Sequence, residues 1–469
     1  MSSWYLMLSI FVPLLGSLFC LIFPGKIRGV WSVIIVSLSF IFLLFLLPSI
    51  MLGEVIRLNL AFSGTGFFSF SFLADGVSLI FALVFSFIGI IILLYSLTYI
   101  KPYHNQKEYY FMTTLMIGSL VGISFSANLM LLYIFWEVAA LSAWRLYGFF
   151  RGKKEVIFAN KAFLLTFLGS SFMLLGFILI YQARATLDLV VLRGQPVSNL
   201  ALFFILLGII AKSATLPIQV WMPDAYSRAP SPVCALSSAL IAKIGVFAFV
   251  RIFLFTFTVS WEWILWLAVI SSLIGAAAAL REKNIKRIIA YSTISQISFI
   301  LLGLALVGKI GLLAGLLYFV IHAVAKTGLF LGAGIVEQRC KESNLDKLGG
   351  LAKAMPVTAA GFLFCSLSIM GFPPFGGFYA KLMVILATVK EGHFWIAGLA
   401  IFTAILTMLY LFRLFNGIFL GQREISFSSK GRGSMVACVL FLGIVSLAIG
   451  LFIGQLLGLP NIAVAQIFR

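Results

Sequence analysis

The 469-residue chain is 62% hydrophobic and only 10% charged, with a mean hydropathy of +1.15. A soluble domain carries roughly 45–50% apolar and about 25% charged residues, so a soluble globular enzyme is excluded, as are disordered and collagen-like chains. The formal net charge of +19, from 33 Lys and Arg against 14 Asp and Glu, points either to nucleic acid or to membrane topology, and the placement of the basic residues decides between them.

A spanning helix needs about 20 mostly apolar residues. That length predicts about fourteen spans, at 5–23, 29–51, 76–99, 110–126, 128–149, 162–182, 199–216, 233–256, 262–280, 288–308, 311–336, 356–389, 394–420 and 434–457. The runs are long and lack strict alternation, which argues against a membrane barrel. The first run has no Lys or Arg before Lys26, so it lacks the basic start of a secretory signal and is read as a span.

The fifth span holds Glu137, the one acidic residue read as mid-span, in LLYIFWEVAALSAW. The seventh ends in AKSATLPIQVWMPDAYSRAPSP, where Lys212 precedes Pro217, Pro223, Pro230 and Pro232, which cannot share one straight helix. Lys243 is central to the eighth span. On the eleventh, His322 and Lys326 are four residues apart and share a helix face. The twelfth is interrupted by Gly371, Pro373, Pro374, Gly376 and Gly377, just before Lys381. Arg413, near a helix end, is read as snorkelling to an interface. His104 and His393 receive no role, and three scattered histidines give no metal site.

Of the 33 basic residues, 21 fall in connections leaving odd-numbered spans and six, Arg251 among them, in connections leaving even-numbered ones. The positive-inside rule then places the odd connections in the cytoplasm and both termini outside. Topology accounts for the charge, no cytoplasmic loop is long enough to fold as a binding domain, and nucleic acid is not an expected partner. The five cysteines are scattered without a CxxC pair, so neither an iron–sulfur site nor a disulfide is read. No GxGxxG after a strand and no Walker loop is present.

A charge at a helix centre costs about 2.5–3.5 kcal/mol on insertion scales, so Glu137, Lys212, Lys243, Lys326 and Lys381 together would cost more than about 10 kcal/mol unpaired. Irregular backbone at membrane depth persists only when buried in protein or lining a wet cavity. Broken helices in corresponding positions of two halves indicate an inverted-repeat transporter. The seventh and twelfth spans are five apart, which predicts two inverted five-helix units. The expected organisation is 1–109 (spans 1–3), 110–256 (spans 4–8), 257–420 (spans 9–13) and 421–469 (span 14), an all-α polytopic membrane protein. Burial lowers a lysine's proton affinity and a nearby carboxylate restores it. A Glu–Lys pair of changing separation therefore loads and releases protons, and a row of lysines and a histidine at the midplane forms a lateral relay. Sodium would want several oxygen ligands, and one carboxylate is too few.

Several long motifs stand in order: FWE at Glu137, WMPDAYSRAPSPV, SALIAKIGVFAFVR around Lys243, IKRIIAYSTISQISF, HAVAKTGLFLGAG, and GGLAKAMP followed by GFPPFGGFYAK. On these, residues 65–420 resemble the antiporter-like membrane subunits shared by respiratory complex I (NADH:quinone oxidoreductase), membrane-bound hydrogenases and formate hydrogenlyases, and Mrp-type cation/proton antiporters. The resemblance implies that Glu137 pairs with Lys212, that Lys243 is the central lysine, that His322 and Lys326 continue the relay, and that Lys381 is its terminal lysine. It further implies no cofactor in this chain. The expected partners are homologous antiporter-like and small membrane subunits in a prokaryotic cell membrane, with a peripheral redox arm carrying iron–sulfur clusters and flavin or nickel–iron. A multisubunit Na+(K+)/H+ antiporter without redox partners and a module energising inorganic-carbon uptake are the alternatives. Three departures are noted. The chain stops at Arg469 without the long lateral helix of the most distal complex I paralogue. Tyr318 stands where some members have a histidine. Lys381 stands where one intermediate paralogue has a glutamate.

Overall fold

The structure, a computed structural model, describes residues 2–60, 66–421 and 433–468. Arg423, Lys430, Arg432 and Arg469, and the side chain of Lys26, lie outside the described residues. A helix occupies every one of the expected runs. In chain order these are α1 (Ser2–Phe19), α2 (Gly25–Met51), α3 (Gly76–Tyr99), α4 (Gln106–Phe125), α5 (Leu129–Tyr147), α6 (Lys153–Arg184), α7 (Asn199–Ser213), α8 (Trp221–Arg228), α9 (Ser231–Thr256), α10 (Glu262–Arg281), α11 (Ile285–Ala305), α12 (Lys309–Cys340), α13 (Pro356–Met370), α14 (Gly376–Lys390), α15 (Phe394–Phe419), α16 (Gly433–Leu451) and α17 (Gly458–Ile467). Among the described residues, eleven helices are long and apolar enough to cross a membrane, and shorter apolar helices accompany them. The protein is a multi-pass membrane protein, mostly helical.

The helices differ in what surrounds them. The whole of α9 is buried, as is nearly all of α12, whereas α1 and α2 turn leucines, isoleucines and Phe45 outward. A helix that is apolar all round and still buried belongs at the centre of a bundle. The bundle is therefore built around α9, α11 and α12, with α1, α2 and α6 at its edge.

The two expected interruptions are real. The seventh run stops as α7 before the prolines, with the short α8 following it ahead of α9, and the twelfth is divided into α13 and α14. Helices α7 and α13 have 15 residues each. Each stops at a left-handed residue, Ala214 (φ 50°) and Gly371 (φ 82°), and each break contains a cis X-Pro bond, at Leu216–Pro217 and Pro373–Pro374. Gly371 suits its conformation because it lacks a Cβ. Gly376 sits at the far side of its break, as the first residue of α14.

Three readings from the sequence are corrected. Arg251 is not in a connection. It is buried in α9, where its two terminal nitrogens donate to the Asp75 carboxylate at 2.6 and 2.8 Å and to Ser78 Oγ at 2.6 Å. Glu137 is accordingly not alone as a carboxylate inside the bundle: Asp75, the N-cap of α3, is buried too. Lys286, counted with a connection, is buried in the first turn of α11. For the two basic residues the physical reason is the same: a charged group near a span end stays buried in its helix when it has a carboxylate partner, Asp75 for Arg251 and Glu337 for Lys286. A short antiparallel hairpin, β1 (Ile56–Asn59) with β2 (Ser71–Ala74), was also not foreseen and leads directly into Asp75.

At the end of the bundle where the basic connections gather, ion pairs tie the helices together. Lys161 and Arg287 both donate to Asp224 at 2.7 Å, and Arg287 also donates to Glu282 at 2.7 Å, joining α6, α8, α10 and α11. Burial would raise the Asp224 carboxyl, but the hydrogen bonds from Lys161 and Arg287 outweigh it and hold it below its ordinary value.

Removing one partner of a buried pair strands the other charge, at about 3–5 kcal/mol. Asp75→Leu is thus expected to lower the thermal midpoint of the detergent-solubilised protein sharply. The double variant Asp75→Leu/Arg251→Leu should recover a large part of that loss, measured by fluorescence-detected unfolding.

Candidate proton relay

Four lysines and one histidine, all singled out in the sequence, are buried within the bundle. Lys243, His322 and Lys326 have no exposure, and Lys212 and Lys381 nearly none. Their placement follows from the helices that carry them: α9 and α12 are the central helices, and α7 and α14 end or begin at the two breaks.

At the first break, Lys212 is the penultimate residue of α7, with its ammonium 5.4 Å from the Trp136 ring centroid. Glu137 on α5 is its electrostatic neighbour, and one carboxylate oxygen of Glu137 is buried with no hydrogen-bond partner among the described residues. The two are therefore neighbours in charge rather than a closed ion pair. Trp136 Nε1, Ser213 Oγ and Thr215 Oγ1 are likewise buried without a hydrogen-bond partner among the described residues. Buried polar atoms are rarely left so, and ordered water commonly completes them.

Lys243 donates to the main-chain carbonyl of Ser238 at 2.6 Å. The segment Ser237–Ile241 forms a π-helical turn, a local widening found often at functional sites. Ser238 Oγ meets Thr293 Oγ1 of α11 at 2.8 Å. His322 lies in the field of Lys243, Lys326 and Lys381, and both of its ring nitrogens are buried without a hydrogen-bond partner among the described residues.

Lys326 is tied to α11 by donation to Ser292 Oγ at 2.5 Å and to Ile289 O at 3.3 Å. From Ser292 a chain of neutral polar groups continues. Ser292 Oγ meets Tyr410 OH at 2.6 Å, Gln296 Nε2 reaches Thr407 Oγ1 at 3.0 Å and Tyr410 OH at 3.5 Å, and Tyr318 OH donates to Gln296 Oε1. The ring of Tyr318 then lies 5.9 Å from the Lys381 ammonium, which also sits 5.7 Å from Phe299. Lys381 itself donates to Ile369 O at 2.7 Å and to Met370 O at 3.4 Å, the last carbonyls of α13. A helix leaves its last carbonyls unpaired, and a lysine side chain can bond them.

The structure thus brings Lys243, His322, Lys326 and Lys381 into one polar row and keeps Glu137 with Lys212 at the other break. Sequence reasoning missed Ser292, Gln296, Tyr318, Thr407 and Tyr410 as connectors. The i, i+4 spacing of Ser292 and Gln296 was the available signal, since it sets both on one face of their helix. Arg413 does not reach for solvent alone. It donates to the carbonyls of Leu280 and Glu282 at the end of α10. Among the described residues no group of three or more His, Cys, Asp or Glu gathers to hold a metal ion.

Comparison with known proteins identifies the family. The model described as NADH:quinone oxidoreductase/Mrp antiporter, TM, matches residues 126–407, and that described as NADH-ubiquinone oxidoreductase (complex I), chain 5 N-terminus, matches residues 62–111. The chain is 31% identical to a Na(+)/H(+) antiporter subunit of Alkalihalophilus pseudofirmus, over 88% of this chain and 56% of that protein. It is 30% identical to NADH-quinone oxidoreductase subunit N of Desulforudis audaxviator, over 79% of this chain and 80% of that one. The chain spans 56% and 60% of the length of its Na(+)/H(+) antiporter relatives from Alkalihalophilus pseudofirmus and Staphylococcus haemolyticus. Two solved complexes contain chains of the same fold at 26% identity. One is the Mrp complex from Dietzia sp. DQ12-45-1b, with a TM-score of 0.89. The other is a membrane-bound sulfane sulfur reductase described as an archaeal respiratory membrane complex, with a TM-score of 0.91. Each match covers 99% of this chain and 98% of the other. The matched chains sit in multisubunit assemblies. The chain belongs to the NADH:quinone oxidoreductase/Mrp antiporter family of membrane subunits.

Proposed function

We propose that this chain moves protons along Glu137, Lys212, Lys243, His322, Lys326 and Lys381, as the membrane subunit of a redox-driven complex of the complex I type. The observation that carries the reading is the row itself. Four buried lysines would cost several kcal/mol in lipid, and here they are set within the bundle, with a chain of hydroxyl and amide groups leading from Lys326 towards Lys381 and the His322 ring in the field of Lys243, Lys326 and Lys381. A neutral amine and an ammonium both donate to a carbonyl, so Lys243, Lys326 and Lys381 each keep a hydrogen bond when the proton leaves.

The matching breaks support two inverted units, 110–256 and 257–420, each with its lysine at the interrupted helix. The gathering of basic residues at one end supports that end as the cytoplasmic face of a prokaryotic cell membrane, with both termini outside. The likeness to a chain of a respiratory membrane complex, and the 30% identity to an NADH-quinone oxidoreductase subunit over 80% of that protein, support a redox-driven assembly. In that assembly partner subunits would carry iron–sulfur clusters with flavin or nickel–iron. The Na(+)/H(+) antiporter relatives favour a second reading, a cation/proton antiporter without redox partners.

Two experiments check these readings. Lys212→Ala and Glu137→Gln are expected to abolish proton translocation, followed with a pH-sensitive dye in proteoliposomes, while the complex still assembles. Arg413→Ala, which removes a helix-end tie rather than a relay group, should reduce translocation far less. Full pumping by the Lys212 and Glu137 variants would refute the relay. Purification of the intact complex through this chain should bring flavin and iron–sulfur absorbance with it. An intact complex lacking both would leave the antiporter reading.

A further inference from the structure

Resting on the relay reading, we propose that Glu337 collects protons at the basic face, and that a two-tier polar column of Ser231, Lys286, Thr293 and Ser238 delivers them to Lys243. The first tier lies where α9, α11 and α12 meet. The Glu337 carboxylate accepts from Lys286 Nζ at 3.0 Å through one oxygen and from Ser231 Oγ at 3.3 Å through the other. Lys286 also donates to Ala229 O at 3.0 Å. Exposure separates the partners: the Lys286 side chain is 4% exposed and that of Glu337 is 31%. The carboxylate therefore faces outward while its cation is sealed behind it.

The second tier is two helical turns deeper on both facing helices. Ser238 follows Ser231 by seven residues on α9, and Thr293 follows Lys286 by seven on α11. A seven-residue step returns to nearly the same helix face about 10.5 Å further along. Ser238 and Thr293 meet through their hydroxyls at 2.8 Å, and the Ser238 carbonyl holds Lys243 at 2.6 Å. At the second tier, the Tyr147 and Tyr226 hydroxyls lie beside Ser237, the residue before Ser238, and are buried without a geometric hydrogen-bond partner among the described residues. Hydroxyls in that situation take up ordered water.

The step balances as a proton hop. Hydronium from the basic face gives its proton to the Glu337 carboxylate and leaves as water. The resulting acid releases the proton to the hydroxyl and water column, and the neutral Lys243 amine, having passed its own proton along the relay, takes it up. Lys286 stays an ammonium throughout and is a positioning residue: it fixes the carboxylate and restores its ionised form after each hop.

The test uses the intact complex in proteoliposomes, with assembly and thermal midpoint checked for each variant. Glu337→Gln removes the titrating group and should slow translocation about tenfold, a modest loss for removal of a proton-transfer group. Glu337→His restores a titrating group but puts an imidazole opposite Lys286. It should recover most of the rate if proton transfer is what matters. Thr293→Val keeps the shape of the second tier and removes its hydroxyl, so it should slow translocation several-fold. A Glu337→His chain as slow as Glu337→Gln would reduce Glu337 to a structural ion pair and overturn the proposal. So would full rates in both Glu337→Gln and Thr293→Val while Lys212→Ala abolishes translocation, an outcome that leaves the relay intact. Unchanged translocation in Lys212→Ala would remove the relay and this intake with it.

Discussion

A main-chain carbonyl that leaves its helix inside a bilayer finds no water to bond, and the central charges of this protein are arranged around that constraint. Lys381 meets it directly by bonding the last carbonyls of α13 at the break, whereas Lys243 bonds the Ser238 carbonyl within a π-helical turn and Lys326 that of Ile289 within α11. The interruption of a helix and the burial of a lysine are each unfavourable separately. Together each supplies what the other lacks, a donor for the carbonyl and an acceptor for the cation. A carbonyl pins the proton less than a carboxylate does, because it carries no full charge and still accepts, more weakly, from an amine that has lost its proton. The same contact that makes the break tolerable leaves the lysine able to change its charge.

The contrast with Asp75 and Arg251 shows the other solution. Arginine is not deprotonated in proteins and its forked donors match a carboxylate, so a pair of this kind holds position and carries no proton. It joins the start of α3 to α9, just after the only hairpin among the described residues. Arg193 bonds the carbonyls of Gln466 and Ile467, and Gln466 accepts from the Gly76 amide. That end of the bundle is thus clamped by fixed charges, while the midplane is populated by lysines on carbonyls.

The lysines were legible in the sequence because a cation in an apolar run is conspicuous, and the breaks were legible because proline and glycine cannot continue a helix. Ser292, Gln296, Thr407 and Tyr410 were not, since a lone hydroxyl or amide on an apolar helix is ordinary and becomes a connector only when helices from distant parts of the chain meet. Thr407 and Tyr410 lie more than a hundred residues from Gln296. Arg251 and Lys286 were misread for a different reason. Hydropathy places a charged residue near a span edge in the connection, and only the tertiary partner, Asp75 or Glu337, shows that it is inside. The charge asymmetry between the two ends is little altered by moving them, because it rests on the whole set of basic residues and not on those two.

The two halves of the relay are not built alike. Lys243, Lys326 and Lys381 are each held by hydrogen bonds to carbonyls or hydroxyls, and neutral side chains lead from Lys326 towards Lys381. Glu137 and Lys212 are electrostatic neighbours without a closed ion pair, each beside buried polar atoms that lack a hydrogen-bond partner among the described residues. Coulomb energy in a low-dielectric interior changes steeply with separation. A small shift of α5 against α7 therefore alters the proton affinity of Lys212 more than a similar shift alters a lysine fixed on a carbonyl. On the proposed relay, the loosely held pair would be the place where movement of the assembly is converted into charge, and the tightly held lysines would pass that charge on.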